Sequence, residues 1–317
     1  MEAVLTRVAD YLWRQSWQIA LLIVAVALAS WALRNRSAHV RYLLWLLVLA
    51  RCLTPPLVPV PLAVLPAKAP AVSIPAAPPE EVVASRPVRE RPLPTLPASS
   101  PAAPLPPRLD TRQRLVIGWL VGVALFLCAA VIKMAGTIPW LYRERRTLPQ
   151  DLRNSIEEPF HSLRVKHLPR VWLVEGVGQP FVWGLLRGAV YLPESFAQTG
   201  GDEHRRDILA HEISHLLRFD AAVNALQIIA QAIFWFHPLV WWANQRIHRE
   251  REKCCDEMAI AQLGAQPKDY STAILNTLIQ AQESVRPVPS RAVAGSVKHL
   301  EERIRAMLRR GVLQMGD

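Results

Sequence analysis

Three runs of apolar residues dominate the first half of the chain, and each predicts a helix. Residues 17–33, WQIALLIVAVALASWAL, carry no charge and approach the roughly 20 residues that cross a bilayer core. Trp17 and Trp31 stand near the two ends, where amphipathic rings prefer the membrane interface. A second run, from about 42 to 61, is interrupted by Arg51. A charge at mid-bilayer costs about 3 kcal/mol, less where the side chain faces neighbouring helices. The third run, residues 115–132, is again free of charge. The first run also holds Ala27-Leu28-Ala29, the small-x-small form of a signal-peptide cleavage site. The segment ahead of it is long and carries Glu2 and Asp10, which favours a retained helix.

Between the second and third runs the pattern breaks down. Of the chain's 27 prolines, 17 fall within residues 54–107. Proline lacks the amide donor and breaks helix and sheet, so this stretch reads as an extended linker. The expected organisation is two membrane helices in 1–53 (the second running to about 61), a proline-rich linker in 54–112, a third membrane helix in 113–135 and a folded domain in 136–317. In the domain, residues 148–163 predict a helix and RVWLVEG (170–176) a strand. Residues 180–193 predict a hairpin with its turn near Arg187-Gly188. Asp202 opens a further helix, with Glu203 in the first turn, where the macrodipole favours it. The fold class is a mostly α membrane protein: three N-terminal spans and an α+β domain with a small sheet.

The formal net charge of +11 changes this picture little. The basic residues flank apolar blocks and form no single stripe, which favours anionic lipid headgroups over nucleic acid. Near the spans, seven Lys/Arg lie on the side of the short loop between the first two runs (34, 36, 41, 133, 143, 145 and 146) and six on the other (7, 14, 68, 108, 112 and 114). With three spans, this places the later domain in the cytoplasm. Four cysteines, two of them adjacent, form no disulfide framework and fit a reducing compartment.

The chemistry sits in ILAHEISHLLRFD, residues 208–220. Positions four apart share a helix face, so His211 and His215 can aim both imidazoles at one ion. Zinc held by three protein groups keeps a fourth position for water and lowers its pKa to about 7. Glu212, beside the first histidine, is then the general base that takes the water's proton and passes it to the leaving nitrogen. Ile208, Leu209 and Leu216 anchor the helix at helical spacing. The third ligand must come from further on, where Glu250, Glu252, Asp256 and Glu257 are available. Glu252 and Asp256 share a face; one ligates while the other orients a ligand histidine. Glu250 points elsewhere, as a solvated partner for Arg246, and Glu257 is also off the face. If His211, His215 and Glu252 hold one ion, the apolar stretch 221–242 cannot cross the bilayer once. It folds back at His237-Pro238, because the residue before proline avoids the helix. The outcome is a helical hairpin over 221–245 that dips into the membrane face, as its aromatic residues suit, or one that packs as ordinary core. The strand AVYLP (189–193) is either an edge that holds substrate by strand addition or a strand of ordinary sheet. Tyr270 is the residue named for the oxyanion.

HEISHLLRFD (211–220), FHPLVWWANQRIHREREKCCDE (236–257), PFVWGLLRGAVYLP (180–193), LEERIRAML (300–308) and YLLWLLVLARCLTPP (42–56) together resemble the membrane gluzincins that include the BlaR/MecR-type antirepressor transducers. The glutamate of the family's E-x-x-C-D matches Glu252 and its aspartate Asp256. The resemblance implies a gluzincin-like peptidase with one Zn2+ per chain. Its ligands are His211, His215 and Glu252, with Glu212 catalytic and Asp256 in the shell behind. It further implies a multi-pass protein of the bacterial plasma (inner) membrane whose cytoplasmic domain cleaves a regulatory protein such as a transcriptional repressor. The expected partners are that substrate, the lipid bilayer and, as an option, a second copy of the chain, with no direct contact to nucleic acid. No S-x-x-K motif is present, so a penicillin-binding sensor domain is not expected. Residues 283–296 are a flexible autocleavage segment by analogy, or simply a loop. The rival functions are a quality-control or processing zinc protease and a non-catalytic membrane scaffold. An intramembrane protease is disfavoured by Arg205, Arg206, Asp207, Arg218 and Asp220 along the motif helix.

Overall fold

The computed structural model describes residues 2–54, 110–154, 169–185, 188–197, 201–263, 266–283, 303–305 and 307. Most of the expected linker, the predicted helix beyond residue 154, Arg187 in the hairpin turn and the segment 284–302 lie outside the described residues.

Helices α1 (Glu2–Ala32) and α3 (Thr111–Glu144) are long and apolar enough to cross a membrane. Asp110 starts α3: its side chain accepts from Thr111 N at 2.7 Å, and Gln113 Oε1 accepts from Asp110 N at 3.0 Å. Helix α2 (Ala38–Leu53) has 16 residues, about 24 Å at 1.5 Å per residue, short of a bilayer core of about 30 Å. The rest of the second predicted span, 55–61, lies outside the described residues. Arg51 turns toward α1, donating to Gln18 Oε1 and, at 3.2 Å, to the Thr54 carbonyl. Those acceptors explain how a charge sits in an apolar run.

The apolar stretch after the motif doubles back. Helix α5 (Asp220–Ile233) and helix α6 (Pro238–Leu263) form an antiparallel hairpin that turns at residues 234–237. Gln227 Nε2 donates to the Asn244 carbonyl at 3.1 Å across it. Phe234, Val240 and Ile247 of the hairpin join Ile19 and Ile23 of α1 and Trp45 and Val48 of α2 in one core. The tip docks on α3, where Trp119 Nε1 donates to the Ile233 carbonyl at 2.8 Å. Trp235 lies so close to Gly122 that a Cβ there would meet its ring at 2.2 Å. Only glycine admits that contact.

A four-stranded sheet lies beside the helices in the order β1-β2-β4-β3, with β1 Arg145–Arg146, β2 Arg170–Val174, β3 Phe181–Trp183 and β4 Ala189–Pro193. β2 and β4 are parallel, while β1 with β2 and β3 with β4 are antiparallel. The predicted strand and hairpin are present, but AVYLP is not the edge. β4 is flanked by β2 and β3, and its residues are buried without alternation, as an internal strand requires. The edge facing away from β4 belongs to β3. Leu173, Val190 and Leu192 of the sheet pack on Ile208, Leu209 and Ile213 of helix α4 (Asp202–Leu217). On its other side α4 meets α6 and helix α7 (Pro267–Glu283) through Ala210, Ala259, Ile260, Tyr270 and Ile274. The motif helix is thereby clamped between sheet and helices.

Candidate metal centre

One turn of α4 separates His211 from His215, and their rings stand perpendicular with centroids 4.9 Å apart. Glu252, near the middle of α6, reaches both. Its Oε2 is 3.6 Å from His211 Nε2 and its Oε1 3.8 Å from His215 Nε2. Ligand atoms at the corners of a zinc tetrahedron with bonds near 2.1 Å are about 3.4 Å apart. Each carboxylate–imidazole separation is thus within a few tenths of an ångström of that value, one ligand atom from each of the three residues lies within 4.8 Å of the others, and their chemistry, two imidazoles and a carboxylate, suits such an ion.

The outer nitrogens of both imidazoles meet carboxylates. His211 Nδ1 lies 3.2 Å from Asp256 Oδ1 and 3.0 Å from the Tyr270 hydroxyl, which itself donates to Asp256 at 3.0 Å. Arg303 closes this network with two hydrogen bonds to Asp256, at 2.9 and 2.8 Å. His215 Nδ1 lies 2.7 Å from Asp220 Oδ2, with the Cys255 thiol 3.3 Å from the same nitrogen. A carboxylate on Nδ1 fixes the tautomer that leaves the Nε2 lone pair free for a metal.

Charge follows burial here. Burial works against an imidazolium at His211, yet the hydrogen bonds to Asp256 and Glu252 outweigh it and raise the group to about 10. Burial also pushes Glu212 above the ordinary carboxylate range, against the opposing influence of His215 and His211. Glu252 is pulled the other way: His215, His211, His248 and Arg303 overcome its desolvation and hold it well below that range. Glu212 and the three donors line one cleft of about 320 Å³, bounded by the β3 edge, α5 and Met134 of α3.

Three sequence expectations change. Glu250 is no solvated partner of Arg246; it is buried and paired with Arg41 of α2 at 2.8 Å. (Glu257 stays apart from the donors, accepting from Ala38 N at 3.0 Å at the start of α2.) Tyr270 lies behind His211, on the Nδ1 side, so its hydroxyl is engaged away from the cleft and does not face an oxyanion. AVYLP is internal to the sheet, and the strand at the edge beyond it is β3. Two residues went unnoticed for any role here. Arg303 approaches from 47 positions beyond Asp256, with no local signal. Asp220 stands five residues after His215, off its helical face, and is brought back by the left-handed turn at Phe219, φ 55° and ψ 35°.

Paired imidazoles on one helix, a carboxylate from α6 and a buried glutamate between the imidazoles form the kind of site that zinc peptidases use. The family model described as BlaR1 peptidase M56 matches residues 11–307, and the chain belongs to that family. Over 130 residues the chain is 26% identical to the methicillin resistance mecR1 protein of Staphylococcus aureus, and equally to that of Staphylococcus epidermidis. The match covers 41% of this chain and 22% of each relative, so it spans about a fifth of the length of those relatives.

Proposed function

We propose that this protein is a membrane-bound zinc endopeptidase that cuts a peptide bond in a regulatory protein of repressor type as part of signal transduction. The observation that carries the reading is the convergence of His211 Nε2, His215 Nε2 and the Glu252 carboxylate in a cleft that also contains buried Glu212. His211, His215 and Glu252 hold the ion. When bound, zinc lowers the pKa of a water to about 7 and polarises the substrate carbonyl. Glu212 takes a proton on its carboxylate and delivers it to the leaving nitrogen. The burial that raises its proton affinity suits a group that must keep the proton between two steps. Asp256 and Tyr270 keep the His211 ring in place.

Substrate enters as an extended strand along β3, its backbone paired with the exposed edge. The cleft wall formed by Ile208, Ala225, Ile228 and Met134 favours an apolar side chain beside the scissile bond. The setting is a bacterial plasma membrane with the catalytic domain in the cytoplasm. Asp10 and Arg112 pair at 3.1 Å, which puts the starts of α1 and α3 at one level, opposite the end of α1 and the start of α2, near the site. The loop arginines Arg34, Arg36 and Arg41 lie on the site's side, consistent with a cytoplasmic face. The α5–α6 hairpin enters the membrane alongside α3 and returns.

The test is zinc content and casein cleavage by the full chain in detergent. Wild type binds one zinc and cleaves. Glu212→Ala keeps the metal and loses activity by about 10²- to 10⁴-fold. Glu252→Ala loses both. Metal content and cleavage unchanged in Glu252→Ala sinks the reading; bound zinc without cleavage in wild type turns it toward the scaffold alternative.

A further inference from the structure

The back of His215 is completed from a helix far earlier in the chain, α2. Asp220 Oδ2 meets His215, while Oδ1 faces α2, where the Tyr42 hydroxyl donates to it at 3.4 Å. Arg218 fills the space between. Its guanidinium stacks 4.6 Å from the Tyr42 ring, its Nε is 3.7 Å from Asp220 Oδ1, and its Nη1 is 3.1 Å from His39 Nδ1. Tyr42 and Asp220 are both buried. The same end of α2 also grips the ligand-bearing helix: Arg41 binds Glu250 and Ala38 N binds Glu257, two contacts that bracket Glu252 along α6.

We infer that Tyr42, acting through Asp220, is a positioning residue for His215, so that helix α2 is a structural member of the metal centre. This rests on the zinc reading above. A ligand imidazole is only as well aimed as the carboxylate on its Nδ1. Asp220 follows a left-handed residue at the junction of two helices, so the regular hydrogen bonding of α4 does not set its side chain. Its orientation comes from the groups around it, and on Oδ1 these are Tyr42 of α2 and Arg218, which is itself stacked on Tyr42. An axial shift or rotation of α2 withdraws the hydroxyl and the ring together, and leaves the carboxylate steadied only on Oδ2, by His215 itself and the Cys255 thiol at 3.5 Å. Since α2 leads directly into the proline-rich segment, any displacement there has a rigid path of 16 residues to the site.

The experiment measures zinc affinity by competition with a chelating dye, and the visible absorption of the cobalt(II)-substituted protein, on the full chain in detergent. Asp220→Asn should weaken zinc by about 10- to 100-fold, as loss of an outer-shell partner does. Tyr42→Phe keeps the ring and removes one hydrogen bond, and should weaken zinc by about 2- to 10-fold and shift the cobalt bands. Trp45→Phe, elsewhere on α2, should lower thermal stability without moving those bands. If Tyr42→Phe matches wild type in affinity and spectrum while Asp220→Asn is impaired, the role of α2 is overturned and the zinc reading stands. If Glu252→Ala also binds zinc like wild type, the zinc reading itself falls and takes this inference with it.

Discussion

Behind His211 stands a network drawn from α6, α7 and Arg303, which follows α7 in the chain, centred on a carboxylate that accepts two hydrogen bonds from one guanidinium. Behind His215 stands Asp220, tied to α2 by a longer hydroxyl contact at 3.4 Å and an arginine that stacks on tyrosine. Both sides meet the same requirement, a carboxylate on Nδ1, but with different stiffness. The first is a closed, charge-paired knot within the domain. The second depends on the register between helix α2 and a kink. A site built this way has one ligand held firmly and one whose aim a neighbouring helix can adjust.

The largest test of that contrast removes the carboxylates in turn. Asp256→Ala removes both hydrogen bonds of the buried Arg303 to Asp256 and leaves it, among the described residues, only Glu252, 3.5 Å away; the loss should be about 3 kcal/mol of unfolding free energy. Asp220→Ala should cost less than half of that, because Arg218 keeps His39 and the Tyr42 ring. Equal losses in thermal or denaturant unfolding of the metal-free protein break the comparison.

Gly122→Val, on the far side of the hairpin, forces Trp235 off α3 and should cost about 1–3 kcal/mol through overpacking. Tryptophan fluorescence and melting temperature should both change; an unshifted melt shows that the hairpin tip is not seated on α3. Acid sharpens the contrast from the other side. Burial alone would raise Asp256, but Arg303 and His211 outweigh it and bring it down to about 2 from 3.8. A folded-state pKa below the unfolded one adds stability that is complete above about pH 4 and lost as pH falls through 2. The contribution is about 2 kcal/mol. The difference between wild type and Asp256→Asn should therefore shrink across that window; a constant difference contradicts the pairing. Smallest is Tyr270→Phe, which deletes one hydroxyl bonded to Asp256 and should cost about 1 kcal/mol, again read from the melt.

Much of the site could be read from spacing. His211 and His215 share a face because four residues nearly complete a helical turn, and Glu252 and Asp256 repeat that spacing on α6. The break at His237-Pro238 followed from proline chemistry, and the chain turns back there. Other features follow no local rule. Glu250 looked like a surface residue because nothing near it announces Arg41, 209 positions earlier. The edge of the sheet was not legible because two adjacent apolar strands carry the same pattern, and only the strand order separates them.

Periodicity thus determined, from the sequence by itself, which side chains within one element face together: the two imidazoles, the pair on α6, the apolar runs of α1 and α3. Tertiary structure alone decided which distant elements meet. It brought Tyr42 to Asp220 across 178 positions and Arg303 to Asp256, made β3 the edge, and used a left-handed residue to return Asp220 to His215. The reason is physical. A helix or strand repeats its own geometry every few residues and so writes it into the sequence, whereas contacts between elements depend on packing the whole core at once, and no short stretch encodes that.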